Sequence, residues 1–193
     1  MSNITPLKTE AEQALIAQSE GLGPERKAAF ARFVDRGLPH RRVEAYHYTD
    51  LRALLKSAPP PAKAGGTASI PSPLADIDAY VLTLVDGRYE ASLSGALPKG
   101  LTVSPSSALA DDGLNEKGVL SADPVIALNA AFSDGVLDIA IAAKSELEKP
   151  ILIRLVTTGA HASYPRVRVN VGDHAKARSE EHTSELQSRQ YLV

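Results

Sequence analysis

The side chains best able to do chemistry lie together in residues 37–52, which read GLPHRRVEAYHYTDLR. Glu44 with His40 or His47 could transfer a proton, because histidine and glutamate are common general acids and bases. The same side chains could begin a metal site, since imidazole and carboxylate groups both bind zinc. No nucleophile or further ligand completes either site within the stretch. A catalytic or metal site in residues 37–52 is therefore an incomplete hypothesis.

Nucleic-acid binding is a second interpretation of the same stretch. Arg41 and Arg42 could bind phosphate, and Tyr46 and Tyr48 could stack on bases. The chain as a whole has 21 Lys+Arg against 23 Asp+Glu and a formal net charge of −2. Because no other basic face supports such a patch, the sequence predicts no nucleic-acid partner.

A structural interpretation of the stretch is favoured over both. Gly37 ends one helix, Pro39 directs the chain, and Thr49 or its neighbour Asp50 begins the next helix. On this interpretation Tyr46 and Tyr48 are buried packing residues.

The remaining motifs exclude several classes of protein. There is no phosphate-binding G-x-x-x-x-G-K-[ST], no G-x-G-x-x-G after a strand, and no G-x-S-x-G. The closest match to the last of these is GAHAS at 159–163, where His161 stands at the serine position. We therefore assign no catalytic, cofactor-binding or metal-binding residue from the sequence.

Composition predicts a cytoplasmic protein. The chain has no cysteine, which rules out disulfides and thiolate metal sites. No apolar run is long enough to span a bilayer, and MSNITPLKTEAEQALIAQ lacks the basic and then apolar order of a secretory signal. A membrane partner is not expected either.

The 37–52 stretch is predicted to lie between helices, within a helical region at 1–56. Thr9 and Glu12 have the spacing of a capping box. Pro24 is well placed as the first residue of a second helix that Gly37 closes. A linker rich in proline and glycine is predicted at 57–75.

Residues 76–177 change to a mixture of strands with one helix. Asp86-Gly87 between two apolar runs predicts a hairpin. Asp123 and Pro124 predict the start of a helix. Three later runs, bounded by Gly, Pro or Asp, are predicted as strands, and their similar spacing fits either a β-solenoid or a sandwich.

Residues 178–193, RSEEHTSELQSRQYLV, have no strand period. The first eleven of them match the in-frame translation of a common sequencing-library adapter. We expect this tail to be an artefact of sequencing, and we exclude it from functional reasoning.

The order of residues in 37–51 resembles a signature of the SufB/SufD family of iron–sulfur cluster assembly proteins. That signature, GLP-x-R/K-R/K-x-E-x-W-K-Y-T-x-L, is typical of its SufD members. Here Tyr46 stands where tryptophan is common, and His47 where lysine or arginine is. The segments LVDGRYEASLS, DPVIALNAAFSDG and KPILIRLV are similar to later family patterns, so the resemblance covers about residues 10 to 177.

The resemblance implies an α+β fold: a small helical N-terminal region followed by the start of a right-handed parallel β-helix, truncated in this chain. It also implies a non-catalytic scaffold that pairs with SufB and with the SufC ATPase. The C-terminal helices that bind SufC in the family would be missing here.

On this resemblance the family's complex builds an iron–sulfur cluster, while this chain binds no cofactor of its own. A SufB-like paralogue is one alternative, although SufB is expected to carry cysteines. A β-solenoid enzyme is a second alternative, and it would need repeats or paired carboxylates that the sequence does not display.

Overall fold

The computed structural model describes residues 7–63, 76–106 and 123–177. Four α-helices and six strands form within these ranges. The helices are α1 (Glu10–Gln18), α2 (Pro24–Arg36), α3 (Leu51–Leu54) and α4 (Pro124–Phe132). The strands are β1 (Tyr80–Val85), β2 (Arg88–Tyr89), β3 (Leu101–Ser106), β4 (Val136–Ile141), β5 (Ile151–Val156) and β6 (Val167–Val171).

The predicted helix starts are confirmed. Thr9 accepts a hydrogen bond from the backbone of Glu12, whose side chain accepts one from the backbone of Thr9, so the capping box at α1 is complete. Pro24 occupies the first turn of α2. Asp50 caps α3, and Asp123 caps α4 by accepting from the backbone of the helix's first turn.

Helices α1, α2 and α4 enclose one apolar cluster. Phe30 of α2 meets Phe132 of α4 edge to face, with ring centroids 5.6 Å apart. Phe132 also stacks on Tyr164, which follows β5. The buried members of this helical cluster are Ala11, Leu15, Phe30, Phe33, Leu38, Ala127, Leu128, Ala131 and Phe132. The N-terminal helices are therefore packed directly against the later part of the chain.

The predicted hairpin at Asp86-Gly87 is confirmed. β1 and β2 pair antiparallel across this turn. Asp86 has φ 52° and Gly87 has φ 86°, the positive angles that a two-residue turn of this kind requires. The second strand is short, because a 3₁₀ turn at Ala91–Leu93 follows it.

The strands form two small mixed sheets that share a second core. Their orders are β2-β1-β5 and β3-β4-β6, each with one antiparallel and one parallel pairing. Leu82 and Leu84 of β1 pack in this core against Leu101 of β3 and Leu137 and Ile139 of β4.

The β-helix prediction is wrong for the described residues. They form two three-stranded sheets, neither of which closes or continues as a solenoid. A solenoid stacks successive coils with the same parallel pairing, whereas β1 and β4 each have an antiparallel neighbour. Alternating apolar residues indicate the buried face of β4, where Leu137, Ile139 and Ile141 are buried, but they carry no information on which strand lies beside it.

Candidate functional site

A buried carboxylate lies directly beneath the Gly-Leu-Pro turn. Glu12 on α1 is only 1% exposed. Its Oε1 accepts a hydrogen bond from the backbone N–H of Leu38 at 2.8 Å, and its Oε2 accepts one from the backbone N–H of Thr9 at 2.7 Å. One side chain thus joins the start of α1 to the turn that follows α2.

The close approach of this carboxylate explains the glycine at the turn. Gly37 has φ 71°, and a Cβ added to it would lie 2.5 Å from Oε1 of Glu12. A side chain at position 37 would therefore be strained by the backbone angle and would also displace the carboxylate. The two neighbours, Leu38 and Pro39, are both buried.

Two cations surround the same site. Arg52 on α3 lies 3.7 Å from Oε2 of Glu12 and donates to the carbonyl of Leu7. Lys8 donates to the last turn of α2, at the carbonyl of Val34, at 2.6 Å. Burial alone would raise the pKa of Glu12, but the two backbone hydrogen bonds and these charges outweigh it and hold that pKa below its usual value. Glu12 is therefore an anchored anion, and both its oxygens are already occupied.

Tyr46 connects the 37–52 stretch to α4. Its hydroxyl lies 3.0 and 2.9 Å from the two carboxylate oxygens of Asp123, the residue that caps α4. Burial and the hydrogen bond to Asp123 raise the pKa of Tyr46 to about 12. The hydroxyl therefore acts as a fixed hydrogen-bond donor.

The prediction that both tyrosines are buried is confirmed only in part. Tyr46 is half-buried, whereas Tyr48 is 95% exposed. Tyr48 contacts the ring of His47 edge to face. The rings of Tyr46 and Tyr48 point in different directions because Glu44–Tyr46 forms a 3₁₀ turn. Only the ring of Tyr46 is directed inward.

Among the described residues, the structure brings no further side chain to the incomplete cluster of His40, Glu44 and His47. Nδ1 of His40 accepts from the backbone of Arg42, while Glu44 and His47 are exposed on the surface. Within residues 7–63, 76–106 and 123–177, no group of three or more potential ligand side chains could hold a metal ion. In the same ranges, no helix is both long enough and apolar enough to cross a membrane.

A second buried carboxylate was missed by sequence reasoning. Asp86, in the hairpin turn, accepts hydrogen bonds from the backbone and the hydroxyl of Thr158 at 2.8 and 2.5 Å. Nε2 of His161 lies 2.7 Å from the same carboxylate. Burial would raise the pKa of Asp86, but these hydrogen bonds lower it to about 2. The signal in the sequence was His161 of GAHAS, but a single histidine does not indicate which carboxylate it contacts.

The Asp86 cluster has the components of a proton relay but not the arrangement of one. Thr158 donates its hydroxyl to Asp86, so this hydroxyl is not presented to the imidazole of His161 for activation. The loop that carries both residues also bonds to the 60–62 segment, where Pro61 and Ala162 form an isolated parallel bridge. The carboxylate thus holds together the hairpin, the β5–β6 loop and the segment that leaves the N-terminal helices.

One comparison with known proteins gives a family match over part of the chain. Residues 4–58 match the family model described as the SufBD protein N-terminal region. The matched range contains Glu12, the Gly-Leu-Pro turn, Tyr46 and Arg52, and it ends before the first strand. This match supports membership of the SufB/SufD family without separating SufD from SufB. No curated protein matches the chain.

Replacing Glu12 by glutamine should destabilise the protein by about 1–3 kcal/mol at pH 7, because one backbone N–H loses its acceptor and Arg52 loses its counter-charge. The folded-state pKa of Glu12 lies below that of the unfolded chain, about 4.3. The stabilisation is therefore complete above that pH and disappears as the pH falls through the folded-state value. Urea unfolding of both proteins over a series of pH values measures this difference.

The exposed Glu10 on the same helix provides the matched control. Glu10→Gln should change stability by no more than about 0.5 kcal/mol. Equal midpoints for Glu12→Gln and the parent at pH 7, or a difference that does not shrink in acid, would contradict this role for Glu12.

Replacing Tyr46 by alanine should cost about 1–4 kcal/mol, in the range for a packed aromatic side chain. Tyr46→Phe keeps the ring and should cost about 1.5–3 kcal/mol, the value of a hydrogen bond to a charged group. Tyr48→Ala, at the exposed neighbouring ring, should stay within about 0.5 kcal/mol. If the two alanine variants unfold at the same urea concentration, the assignment of Tyr46 as the structural tyrosine is wrong.

Proposed function

We propose that this chain is a non-catalytic scaffold component of the SUF system for iron–sulfur cluster assembly, of the SufD type, and that it pairs with SufB and with the SufC ATPase. The match of residues 4–58 to the SufBD N-terminal region carries the proposal, since it suggests involvement in that system. The cytoplasmic location predicted from composition belongs to the same proposal.

Two features of the sequence support SufD over SufB. The order of Gly37-Leu38-Pro39, the basic pair, Glu44 and Tyr48-Thr49 follows the SufD-type signature. The chain also has no cysteine, whereas a chain that receives sulfur or holds a nascent cluster needs thiolate ligands. Cluster chemistry is therefore assigned to the partners.

The geometry of the matched region supports a scaffold role. Both oxygens of Glu12 are bound by backbone N–H groups, and the hydroxyl of Tyr46 is bound by Asp123. Side chains with the capacity for proton transfer are used here to fix one backbone segment to another. An N-terminal unit held together in this way suits a partner-binding protein, because ordering a flexible surface costs binding free energy.

The test is capture of purified partners by the tagged chain. Equal amounts of SufB, SufD and SufC from an organism with a complete SUF system are offered singly and together. We expect capture of SufB, and capture of SufC only when SufB is present. Preferential capture of SufD would contradict the SufD assignment and favour the SufB-like alternative. Capture of neither SufB nor SufD would contradict the scaffold role of this chain.

The chain alone should hold no iron–sulfur cluster, because it has no thiolate to bind iron. Anaerobic reconstitution with iron and sulfide, followed by desalting, should leave no stoichiometric visible absorbance. SufB treated in parallel is the control for the chemistry of the reconstitution. A stable cluster on this chain would contradict the assignment of cluster ligands to its partners.

A further inference from the structure

Four large apolar side chains are exposed on and before α3. They belong to Val43, Tyr48, Leu54 and Leu55, which are 41%, 95%, 66% and 41% exposed. In the described residues 8–42, which form the rest of the helical region, no large apolar side chain is exposed to this degree. Apolar exposure concentrated in one place marks a surface that binds another molecule. We call these four residues the 43–55 surface.

Polar groups within the stretch hold its two ends side by side. Oδ1 of Asp50 accepts a hydrogen bond from the backbone N–H of Ala53 at 2.9 Å, and the backbone of Arg41 donates to the same carboxylate. The backbone N–H of Arg52 donates to the carbonyl of Pro39 at 3.1 Å. The polar groups are thus used inside the stretch, while its apolar side chains lie outside, on one small area of the surface.

The charged side chains around the 43–55 surface are mainly cations. Arg41, Arg42 and Lys56 are exposed, and Glu44 is the only exposed carboxylate in residues 40–56. The chain as a whole has a net charge of −2, so this is a local excess of positive charge. An apolar area with a basic border is complementary to an acidic partner that also has apolar side chains.

The backbone of the stretch favours a partner that binds through side chains. The backbone N–H groups of Val43, Tyr46, Thr49 and Leu54 all donate to carbonyls within the stretch, at 2.8–3.0 Å. These residues therefore present no strand edge to which a second strand could be added. An α-helix satisfies its own backbone and can present apolar and acidic side chains on separate faces, so it fits this surface better.

We propose that the 43–55 surface binds an acidic amphipathic helix of a partner protein. Apolar side chains of that helix pack on Tyr48 and Leu54, while its carboxylates pair with Arg42 and Lys56. Tyrosine and arginine are among the side chains that contribute most to binding at protein interfaces. The inference does not rest on the SUF assignment.

A tryptophan at position 48 reports on this surface directly. Because the chain has no tryptophan, Tyr48→Trp introduces a single indole fluorophore. In the full chain its emission should be quenched by acrylamide nearly as well as that of a free tryptophan analogue, since the side chain at position 48 is exposed. Binding of a helix should move the emission to shorter wavelengths, because the ring leaves water.

Two synthetic peptides of equal length and composition serve as probes. The first has leucines at i, i+3, i+4 and i+7 and glutamates at the other positions, so that it forms an acidic amphipathic helix. The second has the same residues in an order without an apolar face. We expect the first peptide to shift the emission of Tyr48→Trp, with an affinity that falls as salt is added, and the second peptide to bind far more weakly.

Two matched pairs of variants, made in the Tyr48→Trp protein, locate the binding. Leu54 and Leu155 are 66% and 62% exposed, on α3 and β5 respectively. Leu54→Asp should weaken binding of the amphipathic peptide about ten-fold or more, whereas Leu155→Asp should leave it unchanged. Arg42→Gln should reduce both the affinity and its salt dependence, whereas Lys27→Gln, at an exposed position of α2, should change neither.

Three results would overturn the proposal. These are a tryptophan at position 48 that is shielded from acrylamide before any peptide is added, an amphipathic peptide that binds no more tightly than its reordered counterpart, and equal effects of Leu54→Asp and Leu155→Asp. A poly-uridine oligonucleotide that binds more tightly than the amphipathic peptide would likewise show that the occupant is a nucleic acid and not an acidic helix.

Discussion

The carboxylate of Glu12 is the interaction on which the N-terminal region depends. It fixes three separate pieces of backbone at once: the start of α1, the turn after α2, and α3 through Arg52. A buried charge is stable only when such partners surround it, so the turn, the basic side chain and the acid require one another. Gly37 is then obligatory, because any side chain there would occupy the space of the carboxylate.

The same use of polar groups recurs where the N-terminal helices meet the rest of the chain. Tyr46 reaches the cap of α4, and Asp86 holds the loop that carries Thr158 and His161. In each case a residue type suited to proton transfer is occupied by hydrogen bonds within the protein. In the described residues these polar groups therefore hold separate backbone segments together, and the first of them, Glu12 and Tyr46, lie within the range that matches the SufBD N-terminal region.

Local signals in the sequence predicted much of this structure, whereas the long-range contacts could not be predicted from them. The capping box at Thr9, Pro24, the Asp86-Gly87 turn and the cap at Asp123 act within four residues, so each can be recognised from sequence alone. Other features depend on residues that are distant in the sequence. These are the pairing of the strands, the contact of Glu12 with the turn at Gly37, and the contact of Asp86 with His161. Apolar alternation does not encode such partners, which is why the β-helix expectation was wrong and why the Asp86 cluster was missed.

One measurement tests the central role of Glu12 most directly: an NMR pH titration of the backbone amide shifts of Thr9 and Leu38. Both amides donate to the same carboxylate, so both shifts should change together, with one midpoint below the ordinary glutamate range and equal to that of the Glu12 side chain. Independent midpoints, or shifts that do not respond to the ionisation of Glu12, would contradict the view that this carboxylate organises the N-terminal region.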